Sequence, residues 1–136
     1  MKVNGTCHCG RITFNCDADP GDVSICHCTD CQKLTGTAFR VSVPVAADDF
    51  HLLSGTPKVY IKIAQSGARR AQAFCAECGT PLYATADSEN PSVYGVRVGT
   101  LEQRAELRPT HAVWQRSALP WLPAIADITV YDEEDD

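Results

Sequence analysis

The sequence lacks any apolar run that could cross a bilayer: its hydrophobic stretches stop well short of the roughly 18 residues a membrane span needs. It also lacks an excess of positive charge. Its 12 lysines and arginines face 17 aspartates and glutamates, for a formal charge of −5, and the closing residues Asp132-Glu133-Glu134-Asp135-Asp136 carry all of that imbalance. A neutral body with an acidic end has no electrostatic footprint for DNA or RNA, so no nucleic-acid partner is expected. The opening Met1-Lys2-Val3-Asn4-Gly5 has one lysine and no apolar stretch, which excludes a secretory signal there. No Pro/Ser-rich spacer, low-complexity segment or long amphipathic period divides the 136 residues. They fit one domain over residues 1–131 with an acidic tail at 132–136.

Cysteine is what the chain has. Seven of the eight cysteines fall in three short clusters: Cys7-His8-Cys9-Gly10, Cys26-His27-Cys28-Thr29-Asp30-Cys31, and Cys75-Ala76-Glu77-Cys78-Gly79. Without export, a cytoplasm that keeps thiols reduced is the expected home, and such clusters there read first as metal sites. Tetrahedral zinc takes four ligands, commonly as two close pairs from distant parts of a chain. Cys7, Cys9, Cys75 and Cys78 make such a set, a closed structural site. Cys26, Cys28 and Cys31 make three, one short of a tetrahedron. The fourth ligand could be water, His27, His111 or an exogenous thiol. His27, between two ligands, could instead turn away and support them indirectly, and His111 could be a hydrogen-bonded strand histidine.

Other chemistries suit the cysteines less well. Neighbouring thiols in Cys-X-Cys do not bridge comfortably, and a reducing compartment opposes disulfides between clusters. A redox-active Cys75/Cys78 pair would need a βαβ frame that the surrounding pattern lacks. Cys16 alternates with Ile12 and Phe14 and reads as a buried small hydrophobe.

Between the clusters the chain reads as short strands. Alternation or short apolar runs place them at 11–16, 23–25, 39–45, 50–54, 82–84, 92–99, 110–114 and 125–131. Residues 58–63 and 71–74 form a hairpin about Ser66-Gly67, and Gln32–Gly36 a single helical turn closed by glycine. The expected class is mostly β.

In that order, Gly5-Thr6-Cys7-His8-Cys9-Gly10, then Cys26-His27-Cys28-Thr29-Asp30-Cys31-Gln32-Lys33 with Gly36, then Phe74-Cys75-Ala76-Glu77-Cys78-Gly79-Thr80 resemble the glutathione-dependent formaldehyde-activating (Gfa-like) family. Val98-Gly99-Thr100-Leu101-Glu102 and Pro109-Thr110-His111-Ala112-Val113-Trp114 before Pro120-Trp121 fit as well, so the likeness spans about residues 4–122. It implies the β-tent fold, layered antiparallel sheets held by zinc. It implies two zinc ions, one on Cys7, Cys9, Cys75 and Cys78 and one on Cys26, Cys28 and Cys31. The implied activity joins glutathione to formaldehyde, giving S-hydroxymethylglutathione, a carbon–sulfur lyase reaction run in reverse.

A thiol reaching a three-cysteine zinc site would lose its proton and stay nucleophilic, ready to attack an aldehyde carbon, with His27 or His111 stabilising the alkoxide. Glutathione's two carboxylates call for cations. Lys33, Arg40, Arg97 and Arg116 are the candidates, and each could equally be an ordinary surface charge. The competing reading is a non-catalytic zinc module that binds a small thiol or a protein partner.

Overall fold

Alternation along Thr13-Phe14-Asn15-Cys16 turns Phe14 and Cys16 to one side, and in the computed structural model, which describes residues 1–134, both are buried. The same rule recurs along the chain. In order, the elements are β1 (Lys2–Thr6), β2 (Thr13–Asp17), β3 (Ser24–Cys26), helix α1 (Thr29–Thr35), β4 (Arg40–Ala46) and β5 (Phe50–Ser54). They continue with β6 (Lys58–Ile63), β7 (Arg69–Phe74), β8 (Pro81–Ala86), β9 (Val93–Arg97) and β10 (His111–Val113). The chain is mostly β, as its short alternating runs imply.

The strands form two sheets. The smaller has the order β1-β2-β5, and the larger the order β10-β3-β4-β9-β8-β7-β6. All pairings are antiparallel except β10 with β3, where His111, Ala112 and Val113 run parallel to Ser24, Ile25 and Cys26. Val3 and Phe14 of the small sheet meet Val43, Val45, Leu82 and Val96 of the large one in a single core cluster. An aromatic chain crosses the same gap: the Phe50 ring lies 5.1 Å from Phe14 and 4.4 Å from Tyr94, stacked on both. Arg40, Ser42 and the Arg97 paired with Ser42 lie on the other face of β4 and β9, away from Val43, Val45 and Val96.

Three elements differ from the sequence reading. Lys2–Thr6 is a strand, because its backbone pairs with β2 over its whole length although its alternation is weak. The helix begins at Thr29, inside the central cysteine cluster, with Cys28 as its cap and Gly36 in the left-handed region after it. Residues 125–131 are not a strand. Leu122–Asp127 is a 3-10 helix with proline in its first turn, and no strand follows to Tyr131. Ile125, Ile128, Val130 and Tyr131 are all exposed, so their β-branched pattern buries nothing and meets no sheet edge. Of the acidic tail, Asp132–Glu134 are exposed and residues 135 and 136 lie outside the described residues.

Gly5 shows how tightly the sheets close around the first cysteine cluster. It pairs with Phe14 on one side and Leu101 on the other, and a β-carbon there would overlap the Phe14 ring. Gly5→Ala is expected to lower stability by about 1–3 kcal/mol, the usual range for overpacking, seen as a lower thermal midpoint. An unchanged midpoint would mean that the Phe14 ring has room to move.

Candidate metal centres

The first cluster lies in the turn from β1 to β2, and the third in the turn from β7 to β8. Both turns have the same internal wiring. The Gly10 N–H donates to the Cys7 carbonyl at 3.1 Å, and the Gly79 N–H to the Cys75 carbonyl at 2.8 Å. Both glycines take positive φ, 82° and 79°, which side-chain-bearing residues rarely adopt. A hydrogen bond from the His8 N–H to the Thr80 hydroxyl at 3.0 Å joins the two turns. The sulfurs of Cys7, Cys9, Cys75 and Cys78 then lie within 4.8 Å of one another. Cys9 Sγ is 3.6 Å from Cys7 Sγ and 3.7 Å from Cys75 Sγ. A disulfide would need about 2.05 Å, whereas a tetrahedron with metal–sulfur bonds of about 2.3 Å has edges of about 3.8 Å. All eight cysteines are free. The Ile12 N–H donates to Cys7 Sγ at 3.3 Å, and the Thr80 hydroxyl, 3.2 Å from Cys78 Sγ, leads the contacts that hold that thiol down to about 5.

The second cluster is built by a strand end, a cap and a helix. Cys26 closes β3, Cys28 caps α1, and Cys31 sits in its first turn, where its N–H donates to Cys28 Sγ at 3.3 Å. Gln32 fixes this loop to the C-terminal segment, its amide donating to the carbonyls of His27 at 2.9 Å and Ser117 at 3.0 Å. The His27 N–H in turn donates to the Val113 carbonyl at 3.1 Å. The three sulfurs lie within 4.8 Å of one another. Arg40, itself buried, donates from Nε to Cys31 Sγ at 3.3 Å. The Cys31 thiol is held down to about 5, first by the Cys26 thiol and then by Arg40, against burial, which raises it. Cys26 is pushed up in exchange, first by Cys31 and then by burial. These contacts favour the thiolate form at Cys31 over Cys26.

The group of mutually close ligand atoms contains the three thiols and neither imidazole. His27 is buried, its ring edge-on to Phe39 at 5.7 Å and its Nδ1 without a partner among the described residues. The His111 ring lies elsewhere, with Nδ1 3.1 Å from the Thr110 hydroxyl and Nε2 3.9 Å from Asp22.

The four candidate cations separate in the same way. Arg97 lies beside Arg40, its terminal nitrogens donating to Ser42 at 2.9 Å and Gln72 at 2.8 Å. Burial and then repulsion from Arg40 pull its pKa down to about 9, opposed by Cys31 and Cys26, so it stays charged at neutral pH. Arg40 and Arg97 form part of the lining of a cleft of about 350 Å³. Arg116 lines a different cleft, with Cys28, Lys62 and Trp114, and stacks on the Trp114 ring at 4.8 Å. Lys33 stands exposed on α1. Sequence reasoning missed Gln72, Tyr60 and Lys62. Their signal is pairing across the β6–β7 hairpin, where Tyr60 faces Gln72, and Lys62 reaches back to Asp30 of α1 at 3.2 Å.

The family model described as glutathione-dependent formaldehyde-activating enzyme matches residues 2–117. The chain belongs to this family. A crystal structure of a Rhodobacter sphaeroides protein shares the fold, with a TM-score of 0.62 at 22% identity, over 81% of this chain and 99% of that one. No curated protein matches.

In this member of the family both clusters offer only thiols, soft donors suited to zinc and unsuited to magnesium or calcium. Their topology differs. Cys9 and Cys75 are 66 positions apart, whereas the second trio falls within six residues, from the end of β3 into α1. Cys7→Ser or Cys78→Ser is therefore expected to lower the thermal midpoint by 10 °C or more, on the order of several kcal/mol of metal-linked stability. Cys31→Ser is expected to leave most of the fold intact. During mild chelation one metal ion should leave well before the other. Equal destabilisation by both kinds of substitution would make the second cluster structural too.

Proposed function

We propose that the chain joins a small thiol, such as glutathione, to formaldehyde or a related aldehyde, with one zinc ion on the four-thiol cluster and a second on Cys26, Cys28 and Cys31. The observation that carries this reading is the trio itself: three sulfurs within 4.8 Å of one another, one of them bonded to a buried guanidinium, Arg40, that also lines a cleft of about 350 Å³. Zinc on the trio would supply the acidity that strips the proton from an incoming thiol at neutral pH.

The remaining work falls to the chain's own side chains. The addition forms a sulfur–carbon bond and breaks the π bond of the aldehyde, and the thiol's proton ends on the former carbonyl oxygen. Nothing is oxidised or reduced. Arg40 keeps Cys31 anionic, and with Arg97 provides positive charge where a substrate carboxylate would lie. Three thiolates would over-compensate a divalent ion by one negative charge, and the buried Arg40 guanidinium bonded to Cys31 would offset it. His27, held against the loop by its own N–H, is the group we assign to steady the nascent alkoxide; its Nδ1 has no other partner among the described residues. His111 is engaged with Asp22 and Thr110 and takes no part in this scheme. Arg116 and Lys33 are assigned outer roles, steering an anion toward Cys28 and α1. Eight free cysteines suit a reducing compartment, and we place the protein in the cytoplasm.

Exchange NMR between the hydroxymethyl adduct of glutathione and free formaldehyde tests the proposal. The protein should accelerate exchange beyond the spontaneous rate, and Cys28→Ser should abolish that acceleration while leaving the four-thiol cluster loaded. A fully metallated protein without acceleration would instead be a binding module.

A further inference from the structure

The cleft lined by Arg40, whose Nε donates to Cys31 Sγ, has a composition that glutathione does not match. Arg40 and Arg97 stand on its cluster side, and Leu34, Tyr60, Phe74, Pro81 and Tyr83 make most of the remainder. Among the described residues no aspartate or glutamate lines it. Leu34 and Tyr60 are exposed large apolar groups, 36% and 56% accessible, on α1 and β6 at its rim. Arg97 uses both terminal nitrogens on Ser42 and Gln72, while its Nε is buried without a partner among the described residues. A buried donor of that kind points to an acceptor that the protein itself does not provide.

Two guanidiniums, one unused buried N–H and an apolar wall describe a ligand with a negative head and an apolar body. Glutathione has a carboxylate to offer but also an ammonium group and two amides. The ammonium would find no acid in the cleft, and the amides would find few partners beyond Gln72.

We propose that this cleft selects an apolar mercapto acid, its carboxylate on Arg97 Nε and Arg40, its aromatic or branched body against Tyr60, Phe74 and Tyr83, and its sulfur toward Cys26, Cys28 and Cys31. The thiol that this chain joins to an aldehyde is then an apolar monoanion in preference to glutathione. This rests on the proposed function for what happens at the sulfur, but the cleft's selectivity stands apart from it and can be measured without a thiol.

The test titrates the metal-loaded protein with 3-phenylpropanoate and, separately, with S-methylglutathione, following chemical shifts of Tyr60, Tyr83 and the Gln72 side-chain amide. Neither probe has a thiol, so neither depends on aldehyde chemistry. 3-Phenylpropanoate is expected to bind about tenfold tighter or more, with shifts confined to these residues. Arg97→Gln should weaken it about tenfold. Tyr60→Ala, at an exposed rim position, should weaken it too and guards against a misfolded arginine variant. Binding of S-methylglutathione at equal or higher affinity, or no cleft shifts with 3-phenylpropanoate, overturns the proposal. Selective binding without accelerated exchange of the hydroxymethyl adduct of an apolar mercapto acid, 2-mercapto-3-phenylpropanoate, would sink the enzymatic reading and leave the cleft assignment standing. Acceleration with glutathione but no binding of the phenyl acid would do the reverse.

Discussion

The meeting of two cysteine turns, one near the start of the sequence and one near its middle, is the constraint on which the rest depends. Cys7 and Cys9 leave β1, Cys75 and Cys78 leave β7, and their sulfurs converge within 4.8 Å. Four thiolates so close would repel one another, and a cation shared between them would offset that repulsion and tie the two sheets together. From that node β8 starts at Pro81, whose ring joins the cleft wall alongside Gly79. β1 leads away on the other side, and Gly5 lets the Phe14 ring close over it. The node thus sets both the spacing of the sheets and one wall of the candidate binding site.

The second cluster depends on charge more than on topology. Its loop is short and sits between β3 and α1, fixed by Gln32, by the His27 N–H, and by the parallel pairing of β10 with β3. Placing thiolates next to the apolar interior would be unfavourable alone; Arg40, buried and bonded to Cys31, offsets it. Arg97 extends the positive region into the cleft. The Trp114 backbone is in the left-handed region at φ 58°, a conformation that costs a bulky residue of order 1–3 kcal/mol, and it turns the chain so that Ser117 can accept from Gln32.

Much of this was legible in the sequence, and the reason is chemical. Cysteine spacing within six residues constrains ligand geometry directly, so the grouping of the seven thiols could be read without a fold. Strands such as Thr13–Asp17 were legible from their period. Lys2–Thr6 was not, because what makes it a strand is a partner later in the chain. Residues 125–131 misled in the opposite sense: Ile125, Ile128, Val130 and Tyr131 have strand-like side chains but no edge to pair with. Arg40 and Arg97 fall on the polar side of alternating strands, which normally faces water. Only the tertiary arrangement shows that this side meets a cysteine cluster, and for the same reason Gln72 and Tyr60 carried no signal of their own.

Cobalt(II) substitution tests the central claim most directly, since it reports the donor set of each cluster separately. Two cobalt ions per chain should bind, one with a four-thiolate spectrum that added ligand leaves unchanged. The other should start with three thiolates and gain charge-transfer intensity, by about a third, when a thiol such as reduced glutathione is added at high concentration. Oxidised glutathione, without a thiol, should change nothing. A second ion whose spectrum already shows four sulfur donors, or one that responds equally to both forms, would contradict the division into a closed cluster and a substrate-accepting one.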